Sequence, residues 1–534
     1  MKKIVYMFAV LAVSVGVIAA ESKPNVLFIA VDDLKPWLGC YDHPVVKTPN
    51  IDRLAASGTV FRNTYCQVAL CGPSRMSVLT GLRPDTTGIY SMGSGWASQQ
   101  IGAARERVPG LKTIPQYFKE HGYTSLGFGK VFDSRNTDKH QDAVSWSNKG
   151  GVRWDWNTDL YPLKPVGGGY QDPVTRKILD EAYKEVTRLK MEKPQRTAYL
   201  STIEGARPVC EALDLPDEAY AEGNVMTAPA LEVIRQHSKN GKPFFLAVGY
   251  YKPHLPFVAP KKYWDLYDPE EFEIEPVQVY PKDGVAVAET DYIEARGFHP
   301  VPEEGPIPEA LQRHMLHGYA ACVSYVDAQV GKLLQALEES GVADNTIICL
   351  WGDHGFHLGD KQVWGKHTNY EQATEAPLII SSPAIPGGVV EDAAMTELVD
   401  LFPTLCELAG LEAPEKTDGR SLAGIMRGEE LDAGKSAISQ YMRQDEELGS
   451  VMGWAMRTSR YRYVEWRRIV NDDGNVTWSG NVVGCELYDY KNDPNETRNL
   501  ATSIEHRGVM TELQQEFDRV MPHLPDRSLD TCDH

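Results

Sequence analysis

Asn25-Val-Leu-Phe-Ile-Ala-Val-Asp32-Asp33 sets an almost wholly apolar run directly before two carboxylates. A run without polar alternation leaves no face for water, so it reads as a strand covered on both sides, as in a parallel sheet between helices. Thr124-Ser-Leu-Gly-Phe128, Pro243-Phe-Phe-Leu-Ala-Val-Gly249, Thr346-Ile-Ile-Cys-Leu-Trp351 and Ala376-Pro-Leu-Ile-Ile380 share that character. Helical patterns lie between them, at Thr113 to His121, Leu311 to Glu339 and Glu397 to Leu408. The alternation predicts an α/β fold with a large mixed, mostly parallel sheet sandwiched by helices. Groups able to bind a metal or an anion stand just after the runs: Asp32 and Asp33, Lys130, His254, and Asp353 with His354. In open α/β sheets ligands bind beyond the carboxyl ends of the strands, so these side chains are expected to converge.

Past about residue 430 the pattern changes. Met456 to Trp466, Val476 to Val483 and Glu486 to Tyr490 read as short antiparallel strands joined by Asn, Asp and Gly turns, and a last helix is expected from Ser503 to Val520. The expected organisation is a main catalytic domain over 21–428 and a smaller C-terminal α+β domain over 429–534. The polar or Pro-rich stretches 134–240 and 268–308 read as loops or insertions around the sheet.

Residues 1–20 have the form of an export signal. Lys2 and Lys3 precede an apolar run from Ile4 to Ala20 that ends in small residues, with cleavage expected near Ala19 or Ala20. A retained membrane anchor is the other reading of that run. The bacterial look of the signal gives a periplasmic or extracellular location, with no stable membrane span after cleavage. The 534 residues carry a formal net charge of −20, which argues against nucleic acid as a partner because no basic face is in prospect. An acidic chain that acts on an anion must gather its positive charge locally. The nine cysteines are scattered and match neither a CxxC redox site nor a zinc knuckle.

The most specific segment is Cys71-Gly-Pro-Ser-Arg75, followed by Met-Ser-Val-Leu-Thr-Gly81. Pro73 suits the first turn of a helix, so residue 71 is expected at a helix N-terminus, where backbone N–H groups face an anion. Arg75 follows one turn later. The segment resembles the signature of the type I sulfatases, members of the alkaline-phosphatase-like superfamily. That resemblance extends over most of the chain, through Asn25 to Asp33, Thr48-Pro-Asn-Ile-Asp-Arg-Leu-Ala55, Gly129-Lys130, Lys252-Pro-His254-Leu-Pro-Phe257, Gly352-Asp353-His354-Gly355 and Trp364-Gly-Lys366-His-Thr368. Asp33-Leu-Lys-Pro-Trp-Leu-Gly-Cys-Tyr41, Gly81-Leu-Arg-Pro-Asp-Thr-Thr87 and Gly129-Lys-Val-Phe132 look most like the iduronate-2-sulfatases.

The resemblance implies an alkaline-phosphatase-like fold, oxidation of Cys71 to formylglycine by a maturation enzyme, and one Ca2+ held by Asp32, Asp33, the modified residue 71, Asp353 and His354. A shell with three carboxylates suits a hard cation. It further implies that Arg75 holds residue 71 and the sulfate, that Lys130 and Lys366 contact sulfate, and that His254 protonates the leaving oxygen. The implied substrate is a sulfated saccharide, such as a 2-O-sulfated uronic acid. One position departs from the iduronate-type pattern G-K-V-F-H, because Asp133 stands where that pattern has histidine. Asp133 as the base, His140 in its place, or a slow final step all remain open. Trp96, His357 and the 134–240 region are candidate pocket walls. A phosphate or phosphonate ester hydrolase of the same superfamily, and a silent sulfated-glycan binder, are the competing functions.

Overall fold

The computed structural model describes residues 23–92, 99–138, 141–148, 169–290, 292–429, 436–472 and 475–527. The export signal, Trp96 and His140 lie outside the described residues, and among the described residues no helix is long and apolar enough to cross a membrane. The main sheet has seven strands: β1 (Asn25–Val31), β2 (Thr59–Phe61), β3 (Thr124–Gly129), β4 (Phe244–Tyr250), β5 (Thr346–Gly352), β6 (Leu378–Ser381) and β7 (Val389–Glu391). Their spatial order is β7-β2-β6-β5-β1-β4-β3. β1 is central and parallel to both neighbours, and β6 alone runs antiparallel to the strands beside it.

Every residue of β1 is buried, and successive side chains enter opposite cores. Leu27, Ile29 and Val31 pack with residues of the 31-residue helix Glu309–Glu339. Val26, Phe28 and Ala30 meet Met76, Phe118 and Phe402 from helices Cys71–Thr80, Ile114–Glu120 and Leu401–Leu408. Two-sided cover accounts for the absence of polar alternation in the sequence. Of the two readings of 134–240, loops or insertions, the described residues follow the second, with helices Pro173–Arg188, Lys193–Ser201 and Ala228–His237. Asp172 caps the first of these by accepting from Thr175 N at 2.8 Å.

A second sheet joins β8 (Ala437–Asp445), β9 (Gly449–Arg457), β10 (Tyr461–Asp472) and β11 (Asn475–Asp489) in sequential antiparallel order. The expected strand Met456 to Trp466 therefore spans two strands and the turn between them. The two expected strands Val476 to Val483 and Glu486 to Tyr490 are one, set against β10 with register shifts around Arg467. Helix Arg507–Val520 covers one face through Met510, Leu513 and Phe517. The other face meets the main body, where Arg462 and Arg457 of the sheet both engage Glu371.

Candidate active site

Register alone brings the principal groups together. Val31 pairs with Gly352 on one side and Tyr250 on the other, so β1, β4 and β5 end level. The chain continues that ladder for one step, with Asp32 N donating to Tyr250 O at 3.1 Å and Asp353 N to Val31 O at 3.3 Å. Lys130 N donates to Gly249 O at 2.8 Å at the end of β3. Asp33 then turns sharply, with φ of 59°, and its N–H donates to Asp353 Oδ1 at 3.1 Å. Left-handed backbone at a non-glycine residue is uncommon and collects at functional sites.

Helix Cys71–Thr80 starts at Cys71 itself and is buried along its whole length. Asn136 Oδ1 sits where a Cβ on residue 72 would lie, which explains the glycine of the Cys-Gly-Pro motif. Arg75, one turn on, is fully buried and ties the strand ends together. Its Nε donates to Asp353 Oδ2 at 2.9 Å, Nη2 to Asp32 Oδ1 at 3.2 Å, and Nη1 to the carbonyls of Lys130 and Val131. Its hydrogen bonds thus go to two of the implied metal ligands and to the backbone of the Lys130 loop.

Asp32, Asp33, Cys71 and His254 offer ligand atoms within 4.8 Å of one another, and so do Cys71, Asp353 and His354. Cys71 belongs to both groups. His354 bonds Gly355 O through Nδ1 at 2.8 Å, leaving Nε2 facing Cys71 Sγ at 3.4 Å and Asp33 Oδ1 at 3.5 Å. An imidazole oriented through its other nitrogen is the usual form of a metal-binding histidine. Three carboxylates with one imidazole fit a hard divalent cation, so the residues present suit the Ca2+ that the family resemblance implies.

Lys130 Nζ lies 2.6 and 2.8 Å from the Asp32 oxygens. Lys366 Nζ lies 2.9 Å from both Asp33 oxygens and 3.0 Å from Glu294 Oε2. Burial works against both lysine charges, but the facing carboxylates outweigh it and hold both above the ordinary lysine value. Burial pushes the Cys71 thiol up, and Asp32 adds to the effect. His254 bonds Leu255 O through Nδ1 at 2.7 Å, and its Nε2 stands 3.4 Å from Glu294 Oε1 and 3.8 Å from Asp33 Oδ2. Burial, with Lys366 nearby, lowers its imidazole to about 4 against the pull of Glu294.

Asp133 is buried and wrapped by Arg135, accepting from Arg135 N at 3.0 Å, Nε at 2.8 Å and Nη2 at 2.6 Å. Burial opposes the carboxylate, yet Arg135 and Lys130 hold it far below the usual range. A carboxylate held this way is a weak base and a firm anchor for Arg135. His357 is bonded to Asp360 and Thr368 at 2.9 and 2.8 Å, fully buried, and does not line the cleft.

The cleft above these groups encloses about 460 Å³. Asp32, Lys130, His254 and Glu294 line its inner end. Tyr292 and Phe298 line its walls together with Arg135, Tyr183, Arg207 and Tyr220 from the 134–240 stretch. Arg135 and Arg207 fall in the region expected to wall the pocket but were not singled out in it, and Glu294 and Tyr292 were not expected there. They stand in irregular stretches without periodicity, and only the fold brings them to the strand ends.

A family model described as Sulfatase matches residues 24–411, and one described as N-sulphoglucosamine sulphohydrolase, C-terminal, matches residues 359–522. Iduronate 2-sulfatase of Homo sapiens is 33% identical over 537 residues, covering 89% of this chain and 90% of that protein. A solved 2-O GAG sulfatase aligns with a TM-score of 0.60 at 22% identity, over 94% of this chain and 92% of its own. A phosphonate monoester hydrolase from Silicibacter pomeroyi gives 0.66 at 23% identity, over 95% and 97%. At such identities the two structures show a common fold and nothing finer.

Proposed function

This chain belongs to the sulfatase family, and from that premise we propose that it is an exported enzyme that removes sulfate esters from sulfated saccharides, using one Ca2+ and a formylglycine made from Cys71. The observation that carries the reading is the convergence of Cys71, at a helix start, with three aspartates, His354 and two lysines at the ends of three parallel strands. The likeness to iduronate 2-sulfatase supports a 2-O-sulfated uronic acid or a related sugar as the substrate. The Lys2-Lys3 start with its apolar run supports export.

Asp32, Asp33, residue 71, Asp353 and His354 would hold the cation. Bound there, it would polarise the sulfate oxygens and make a hydroxyl on the modified residue 71 more acidic. The chain's own groups supply the rest. The first N–H groups of helix Cys71–Thr80 and the ammonium groups of Lys130 and Lys366 are placed to stabilise charge on a sulfate. His254 Nε2 is the donor for the departing sugar oxygen, its ring fixed by the bond from Nδ1 to Leu255 O. An anionic substrate beside the imidazole favours the protonated ring and so offsets the cost of burial. Asp133 anchors Arg135 in this scheme and takes no proton.

The test is free sulfate released from a panel of sulfated mono- and oligosaccharides by protein co-produced with a formylglycine-generating enzyme and supplied with Ca2+. Release by the wild type and none by Cys71→Ala supports the reading, and the best substrate identifies sugar and position. A phosphonate or phosphate ester turned over in preference to every sulfate ester would replace it. Converted residue 71 without turnover of any ester would leave a glycan binder.

A further inference from the structure

Arg207 stands apart from the other cationic residues of the cleft. Its guanidinium carbon lies 4.3 Å from the centroid of the Phe298 ring, and the residue is half-buried in the cleft wall. Among the described residues its side chain has neither a carboxylate partner nor a hydrogen bond, whereas Lys130 and Arg135 are paired to carboxylates and the Lys252 ammonium donates to the carbonyls of His254 and Pro256. Arg296, Arg313 and Arg443 are also half-buried without a carboxylate, but each donates to a backbone carbonyl, and Arg207 does not. Stacking on an aromatic face fixes the plane of the fork and lowers the ordering cost of a planar anion docking on it.

Arg135 faces the same space. Its Nε and Nη2 are committed to Asp133, which fixes the guanidinium in place, and Nη1 has no partner among the described residues. Tyr292, more than half exposed, lines the same cleft as Arg207 and Arg135. The acidic groups of the cleft are otherwise engaged. Glu294 faces Lys366 and His254, and Glu222 is buried, with burial pushing its carboxyl up towards the neutral form.

We propose that Arg207, with the free edge of Arg135, forms a second anion subsite that recognises another anionic group on the sulfated saccharide, either a uronate carboxylate or a further sulfate. The inference rests on the sulfatase reading above and narrows its substrate to a sugar or short glycan with at least two negative groups. The ester to be cleaved would lie against Cys71, Lys130 and Lys366, and the second anion against the Phe298 wall. A planar carboxylate and a tetrahedral sulfate can each offer two acceptor oxygens to an arginine fork.

The test compares kcat/KM of the matured enzyme on three substrates: a singly sulfated neutral sugar, the same sugar with a second sulfate, and a sulfated uronate. Wild type is expected to prefer a doubly anionic substrate, and Arg207→Gln to lower that preference about 10- to 100-fold, mainly through KM. Arg207→Lys, which keeps the charge and loses the fork, is expected to fall between. Whichever doubly anionic substrate loses more identifies carboxylate or sulfate as the recognised group. Equal preference in wild type, or an unchanged ratio in a variant that unfolds at the wild-type temperature, would overturn the subsite and leave the sulfatase reading intact. No sulfate release by wild type from any substrate would instead fail the reading beneath it. If Arg207→Gln does not fold, binding of a sulfated uronate and of a disulfated sugar to Cys71→Ser protein, measured by calorimetry with and without Arg207→Lys, decides the same point. Binding of either weakened by the lysine upholds the subsite, and binding of both unaffected by it refutes the subsite.

Discussion

Arg75 offers the sharpest test of how the strand ends are held. Its fully buried guanidinium donates to Asp353, Asp32 and two backbone carbonyls, and the two carboxylates are implied metal ligands. Lysine keeps the charge but cannot reach four acceptors, so Arg75→Lys isolates geometry. Losing two charge-assisted bonds while keeping the ion pairing should cost about 2 kcal/mol. Arg75→Met removes the charge as well and leaves Asp353 without its buried cation, a loss of about 3–5 kcal/mol. The unfolding entropy of a chain this long is roughly 1 kcal/mol/K, so the expected drops in Tm are about 2 °C and about 3–5 °C. Both substitutions are made on a Cys71→Ser background, so conversion of residue 71 plays no part in the comparison. Added Ca2+ should compensate the stranded carboxylates, and the Tm rise it causes should be largest in Arg75→Met. Thermal unfolding of the three proteins with and without Ca2+ reads both effects. If Arg75→Met unfolds at the temperature of its parent, or gains no more from Ca2+ than the parent does, Arg75 does not compensate these carboxylates.

Glu294→Gln keeps the shape beside Lys366 and His254 and removes the charge, so kcat should fall about 10-fold or more while Lys366 stays tied to Asp33; unchanged kinetics would exclude Glu294 from the site. Burial pushes the Glu486 carboxyl up to about 7 from an ordinary 4.5, so between those values the folded chain keeps a proton that the unfolded chain releases, and stability falls as pH rises through the window. Glu486→Gln removes that loss, on the order of 3 kcal/mol, and its Tm advantage over wild type should grow from pH 5 to pH 8; a constant difference would contradict the buried acid. A Cβ on residue 249 would lie 2.0 Å from Lys130 O, so Gly249→Ala should displace the Lys130 loop and cost about 4 kcal/mol or more, seen as lost soluble yield or a lowered Tm, and a near-native Tm would show that the strand ends give way easily.

The main sheet was legible because its strands are buried on both faces, which leaves the plainest trace a strand can leave in sequence. The site residues at its strand ends were legible for a related reason, since each follows its apolar run within a few positions. The C-terminal sheet was harder to read. β9 and β10 are separated only by the tight turn at Thr458 to Arg460, and apolar residues continue on both sides of it. β10 carries Arg462, Glu465 and Arg467 buried within it, paired to Glu371, to Arg467 and to Glu465, so polar residues there do not mark a solvent face. Glu294 and Arg207 left no trace of their own. Glu294 reaches the site from a short 3₁₀ turn, and Arg207 from the segment before Cys210–Leu213, a strand that pairs with Phe257–Pro260 just after His254. Their positions follow from tertiary packing, which has no period in the sequence.

The charge balance of the site explains how an acidic chain can favour an acidic substrate. With every acid ionised, Asp32, Asp33, Asp353 and Glu294 contribute four negative charges and Arg75, Lys130 and Lys366 three positive ones, all mutually paired; burial raises Asp33 to about 7, so the fourth negative charge is complete only above that pH. Asp133 and Arg135 cancel each other. The protein groups alone thus come to about one negative charge, which draws a cation, and a divalent ion would reverse the sign. Without the cation the lysines keep their protons, because the carboxylates hold them above the ordinary value. Cation and sulfate should therefore bind with positive coupling, each raising the affinity of the other by the same factor. The net charge of −20 sets the field far from the site, where solvent ions screen it within about 10 Å, and the charges that decide binding are those within the cleft.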